Sequence, residues 1–131
     1  MKLLITGGAG FIGSNLTRYL INKGHKICVV DDLSAGKKSN LLGLDVDFIE
    51  GKIEEIDIKN INGIDFIIHL AAQASVPLSI ENFYESSSKN LLSSIKVFEI
   101  ARKYKIPVIY ASSSAVYGNL PIGNDISALV Y

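Results

Sequence analysis

The sequence predicts a doubly wound α/β fold: one parallel sheet with helices on both faces, in three layers α/β/α. Three observations carry that expectation. Short continuous apolar runs alternate with stretches of helical period, a glycine-rich turn joins the first run to the first helix, and an acidic pair closes the second run. The 131 residues are expected to form one domain, 1–131, against a prior of about 150 residues per domain.

The first strand is read at 3–5, Leu-Leu-Ile. A helix follows over 11–23, where Ile12, Leu16, Tyr19 and Leu20 recur at i, i+4, i+7 and i+8 and are expected to face the core. Ile-Cys-Val-Val at 27–30 is the second strand, and a weaker third lies near Val46–Glu50. The stretch 51–63 is polar and short, so any helix there is small. The fourth strand is 66–70 and the fifth 108–111. Between them, 83–104 carries Leu91, Ile95, Phe98 and Ala101 at i, i+4, i+7 and i+10, again expected as a core-facing stripe. Gly24, Gly63 and Pro107 punctuate the turns. The apolar runs do not alternate with polar residues, as expected of strands covered on both sides and joined by right-handed crossovers.

Composition excludes several classes. Hydrophobic residues make up 48% and charged ones 20%, which argues against disorder. Thirteen Lys and Arg against thirteen Asp and Glu leave no net charge, so no basic face for nucleic acid is expected. Cys28 is the single cysteine, which excludes an internal disulfide and a cysteine-built zinc site, and no metal is expected. Only three apolar residues follow Lys2 before Thr6, and no run approaches the ~18 apolar residues of a membrane span. A cytoplasmic chain without membrane partners is the expectation.

The strongest local signal is Thr6-Gly7-Gly8-Ala9-Gly10-Phe11-Ile12-Gly13, between the first strand and the first long helix. There Gly7 takes the tight turn, Gly10 lets the backbone approach a pyrophosphate, and Gly13 lets the helix pack on the strands. The helix dipole adds roughly 0.3–2 kcal/mol for an anion at that terminus. No Gly-Lys-Ser/Thr follows, so this is not a Walker-type loop. The plain alternative is a glycine-rich turn that binds nothing. Asp31 follows the second strand directly, with Asp32 next to it, 18 residues after Gly13. A carboxylate there can accept from both ribose hydroxyls, each charge-assisted bond contributing roughly 1.5–3 kcal/mol. It would also repel a 2′-phosphate, favouring NAD over NADP, although Lys37 and Lys38, close by in the sequence, could soften that repulsion. The alternative is an acidic pair that caps a loop.

Taken with 69–73 and 112–118, these residues resemble the NAD-dependent epimerase/dehydratase family, extended short-chain dehydrogenases that act on nucleotide sugars. The stretch 3–16 is similar to the family's opening. The loop 31–41 is similar to that of its UDP-glucose 4-epimerases and related UDP-hexose epimerases. His69-Leu70-Ala71-Ala72-Gln73 resembles the exit of the fourth strand, and Ser112-Ser113-Ser114-Ala115-Val116-Tyr117-Gly118 the end of the fifth. The resemblance covers residues 2 to 121 and implies a Rossmann fold built from its first five strands. It implies pyrophosphate contacts at Gly7, Gly10, Phe11, Ile12 and Gly13. It implies ribose contact at Asp31, with Asp32, Ser34 and Gly36 beside it, and Ile53 near the adenine. Leu70, Ala71, Ala72, Gln73, Asn90 and Ser112 are placed along the dinucleotide. Ser113 matches the catalytic Ser/Thr, whose hydroxyl helps relay the proton from the sugar's C4 hydroxyl. Without the resemblance, three serines at a strand end would be read as satisfying backbone groups. His69 is expected to be a neutral, hydrogen-bonded residue rather than a base, and His25 to have no role.

Two departures stand out. Lys52 follows Gly51 where the family carries an acid that reads the adenine amino group. Ser93 and Ser94 replace the usual Gly-Thr, and Lys96 a second asparagine. The family's reaction also needs a Tyr-x-x-x-Lys pair downstream of the serine. In it the lysine lowers the tyrosine pKa, and the tyrosinate takes the hydroxyl proton as C4 hydride moves to NAD. Tyr19 and Lys23 have that spacing by chance, within the first helix, where Tyr19 is read as a packing residue. Tyr131 has no lysine after it. Lack of a general base costs roughly 10²–10⁴-fold in rate, and the substrate lobe is also missing. The chain alone is therefore expected to be inactive, with 119–131 a truncated loop. The expected function is the NAD-binding portion of a UDP-glucose/UDP-galactose-type 4-epimerase. The alternatives are a 4,6-dehydratase or decarboxylase portion, and a stand-alone, non-catalytic NAD-binding module. A nucleotide sugar is the expected partner of the full-length protein, together with a homodimer through helix 83–104.

Overall fold

The computed structural model describes residues 1–57, 63–113 and 116. Ser114, Tyr117, the tail 119–131 and the middle of the polar stretch, 58–62, lie outside the described residues. Strand β1 (Lys2–Thr6) leads into helix α1 (Phe11–Asn22), then β2 (Lys26–Asp31), β3 (Val46–Glu50) and β4 (Phe66–His69). Helices α2 (Val76–Glu81) and α3 (Phe83–Tyr104) precede β5 (Val108–Tyr110). Among the described residues of the polar stretch after β3, Ile53–Glu55 form a 3-10 turn, and another such turn, Lys38–Leu41, lies in the loop after β2.

All neighbouring strands are parallel, in the order β3-β2-β1-β4-β5. The chain moves outward from β1 through β2 to β3, then crosses back to β4 and β5 on the other side. The strand order therefore reverses at β1. In open α/β sheets that reversal opens a crevice beyond the carboxyl ends of the strands, between β1 and β4.

Both faces of the sheet are buried, which explains the unbroken apolar runs. Leu4, Cys28, Val30 and Ile67 form one face with Ile53, Ile56, Ile64 and, from α3, Val97 and Ile100. Leu3, Ile5, Ile27, Val29 and Ile68 form the other, packed by Leu16, Leu20 and Ile21 of α1. Burial pushes the Cys28 thiol up to about 11, so it is a small hydrophobe here.

The helices exist where the sequence places them, but the faces they bury match the expectation only in part: Leu16, Leu20 and Ala101 pack on the core, and the other expected residues do not. In α1 the buried residues are Gly13, Ser14 and Thr17, while Ile12 and Tyr19 are exposed by 68% and 58%. Tyr19 is thus a surface residue. Small side chains let α1 lie close to the strands, with Leu16, Leu20 and Ile21 packed beside that contact and Ile12 and Tyr19 turned outward. In α3 the inward face is Ser86, Ser93, Val97 and Ile100, with Ala101 packed alongside. Leu91, Ile95 and Phe98 lie on the opposite side and are exposed. Both stripes of α3 have helical spacing, so periodicity alone cannot say which turns inward. Helix α2 was not foreseen, although its start is written in the chain: Ser75 Oγ accepts from Leu78 N at 3.5 Å and Pro77 sits in the first turn.

Candidate functional site

At the carboxyl end of β1 the chain turns through Gly7, whose φ of +72° suits glycine. Its N–H donates to Val30 O at 2.8 Å, and a Cβ there would lie 2.7 Å from Ala71 N. A side chain at Gly13 would run into the Gly7 carbonyl oxygen. These two glycines press the loop between the strand ends and α1. The helix begins at Gly10 with no side-chain cap and no acid in its first turn. Its leading amides therefore remain open to an anion.

Beside this loop lies a cleft enclosing about 730 Å³, its open mouth included. Thr6, Gly7 and Gly10 form its floor. Asp31, Asp32, Ser34 and Gly36 form one wall, and Leu70, Ala71, Ala72 and Gln73 another. Ile53 and Asn90 also line it. Of the residues singled out from the sequence, Phe11, Ile12, Gly13, Ser112 and Ser113 do not line it. Phe11 and Ile12 side chains point to solvent, so only their backbone can serve the loop. Ser112 and Ser113 are exposed beyond β5, where Ser113 O accepts from Val116 N at 3.2 Å.

Asp31 is buried, and both its oxygens are held by backbone. Oδ2 accepts from Ala9 N at 2.8 Å and Oδ1 from Leu33 N at 2.9 Å. The carboxylate thus braces the glycine loop, and each oxygen keeps a lone pair beyond the one its amide uses. Leu33 adopts a left-handed φ of 58° just after this bond. The following loop is tied to the same place: Ala9 O accepts from Lys37 N at 3.1 Å and from Asn40 Nδ2 at 2.8 Å. Asp32 is more exposed. Partial burial works to raise its pKa, yet the Ser34 hydroxyl and amide, with Lys89 and Lys52 farther off, leave it below the usual value.

The sequence reading had no role for several lining residues. Lys89 and Ser93 reach the cleft from α3, and Lys52 and Glu54 from the turn after β3. Each lysine is paired on its own element, Lys52 with Glu55 at 3.2 Å and Lys89 with Glu85 at 2.9 Å. Thr6 is another lining residue of this kind. Its hydroxyl accepts from Ala71 N at 3.2 Å and lies 2.6 Å from His69 Nδ1. His69 is buried, and desolvation lowers its pKa, as its reading as a neutral residue requires. The only sequence hint for Thr6 was a hydroxyl at the last position of a buried strand.

A doubly wound sheet, an uncapped helix start behind a glycine turn and an acid at the tip of β2 define a dinucleotide-binding domain. The model of the family described as "NAD dependent epimerase/dehydratase family" matches residues 3–129. The chain belongs to that family. It is 37% identical over 131 residues to a putative UDP-glucose 4-epimerase of Methanocaldococcus jannaschii, covering 94% of this chain and 43% of that protein. It is 38% identical over 130 residues to a dTDP-D-glucose 4,6-dehydratase of Dictyostelium discoideum, covering 90% of this chain and 30% of that one. Among solved structures, the UDP-glucose 4-epimerase of Bifidobacterium longum, in complex with NAD+ and UDP, superposes with a TM-score of 0.81 at 29% identity. That match covers 93% of this chain and 41% of that one. The chain thus spans less than half the length of these relatives. Among the described residues, no helix is long and apolar enough to cross a membrane.

Proposed function

We propose that this chain is the NAD-binding portion of a nucleotide-sugar 4-epimerase of the UDP-glucose/UDP-galactose type. The observation that carries the reading is the pairing of an uncapped α1 terminus with the backbone-held Asp31 carboxylate on one cleft. The residues fit a dinucleotide. The pyrophosphate would meet the open amides after Gly10, and a ribose would donate to the free lone pairs of Asp31. Gln73 Oε1 is buried against the cleft with no partner among the described residues, an acceptor suited to a ligand N–H or O–H. Bound there, NAD would supply a reversible hydride acceptor for C4 of the sugar.

The chain's own residues hold the cofactor, and Ser113 is the proton-relaying hydroxyl. No Tyr-x-x-x-Lys pair follows Ser113, so these 131 residues are proposed to bind without turning over substrate. The 38% identity to a 4,6-dehydratase supports a second reading, in which the same cofactor site serves dehydration. The exposed strip Leu91, Ile95 and Phe98 on α3 supports a homodimer through that helix, and we place the protein in the cytoplasm.

Titration calorimetry tests the core of this proposal. NAD is expected to bind, with NADP weaker. Equal or reversed preference would overturn the role given to Asp31. Conversion of UDP-galactose by this chain should be undetectable, and a robust rate would refute the proposed lack of turnover. Light scattering at rising concentration tests the dimer, with a strict monomer as the contrary outcome.

A further inference from the structure

We propose that His69 is a positioning residue: a neutral ring protonated on Nε2 that locks the 70–73 wall of the cleft onto α3. The inference rests on the reading of that cleft as a dinucleotide site. Its own argument is the direction of a chain of hydrogen bonds.

Ser94 Oγ lies 2.7 Å from Asn90 O, one turn back, and donates to it. Having spent its proton there, Ser94 can only accept from His69 Nε2, 3.3 Å away. Nε2 must therefore carry a hydrogen, and in a neutral ring Nδ1 is then an acceptor. The only hydrogen available to Nδ1 is that of Thr6, whose Oγ1 lies 2.6 Å from it. Thr6 Oγ1 in turn accepts from Ala71 N at 3.2 Å. The run is one-way: Ala71 N–H to Thr6, Thr6 to His69, His69 to Ser94, Ser94 to Asn90. The opposite tautomer would make Thr6 accept twice and leave its own proton pointing at neither partner. A doubly protonated ring meets the same obstacle, in a buried site whose desolvation already favours the neutral form.

What this run holds is specific. Asn90 also grips the far end of the wall, accepting from Gln73 N at 2.7 Å and donating to Gln73 O at 3.2 Å. The wall 70–73 is thus fixed at Ala71 through His69 and at Gln73 through Asn90, and both ties end on the same turn of α3. The Tyr110 ring covers the imidazole from β5, with centroids 5.8 Å apart, and supplies packing without fixing direction. His69 sets the position of groups that touch the ligand without touching it.

Long-range nitrogen–proton spectra of the ligand-free chain, with His25 and His69 told apart by a His69→Gln variant, test the tautomer. The expected result is a neutral His69 protonated on Nε2 at pH 7. A ring protonated on Nδ1, or on both nitrogens, overturns the proposal. Ser94→Ala and Thr6→Val break the run on either side with minimal change of shape. Each is expected to shift the Ala71 amide resonance and to weaken NAD about tenfold, the scale of one lost hydrogen bond. His69→Asn, which keeps an acceptor near Thr6, is expected to recover part of the affinity that His69→Phe loses. Unchanged Ala71 resonance in both single variants would overturn the positioning role. Absence of NAD binding by the parent chain would sink the cofactor reading alone, because tautomer and amide shift are read without ligand.

Discussion

The two ends of the cleft are built on different principles. At the β2 end the buried acid and its loop are anchored by backbone: Asp31 by the Ala9 and Leu33 amides, and the loop after it by Ala9 O. At the β5 end, Ser112 and Ser113 stand exposed and off the cleft wall, and the strand beneath them is three residues long. A binding end needs a fixed shape before the ligand arrives, because preorganisation avoids an ordering cost on binding. The described residues meet that need at one end only. The proposed nucleotide end is fixed by its own backbone, whereas the serines stand on the surface beyond a short strand.

The comparison breaks most readily at the glycine loop. Gly7→Val sets a branched side chain at positive φ and against Ala71 N, and is expected to abolish measurable NAD binding in calorimetry. Asp31→Ala should come next. It removes the proposed ribose acceptor and leaves two amides unpartnered, so affinity should fall by roughly 10- to 100-fold, at about 1.5–3 kcal/mol. A lower denaturation midpoint is expected alongside. If affinity is unchanged, the nucleotide end lies elsewhere.

A smaller effect is expected from pH. The folded state lowers the His69 pKa below its ordinary 6.5, so the unfolded chain takes the proton first as pH falls. His69 thus contributes stability in full above that value and loses it as pH drops from 6.5 towards the folded pKa. Urea midpoints for the parent should fall across that window, and for His69→Asn they should fall less. The smallest effect is the most discriminating. Ser113→Ala should leave NAD affinity unchanged, since the residue does not line the cleft, and a tenfold loss of affinity would erase the distinction between the two ends.

Much of the fold was legible because its signals are local. Runs such as Ile27-Cys28-Val29-Val30 are apolar throughout, which only a doubly covered strand tolerates, and Gly7 and Gly13 stand where a turn and a close helix contact require them. What escaped depends on distant partners. The α3 stripe of Leu91, Ile95 and Phe98 is periodic yet faces outward, because the buried side opens with Ser86 and Ser93 before Val97 and Ile100. In α1 the same confusion put Tyr19 inside. Small residues at a tight interface carry almost no hydropathy signal. The hydroxyl of Thr6 and the amide of Asn40 act across 63 and 31 positions of chain, and no window of sequence shows such pairs.

Cys28 sits mid-strand, level with Leu4 on one side and Asp47 on the other, and its thiol is held protonated by burial. It is also the chain's single sulfhydryl. A thiol reagent can reach it only when the centre of the sheet parts, so its labelling rate is a built-in clock for opening events. If ligand binding at the strand tips slows that clock, the cleft and the heart of the sheet open as one unit.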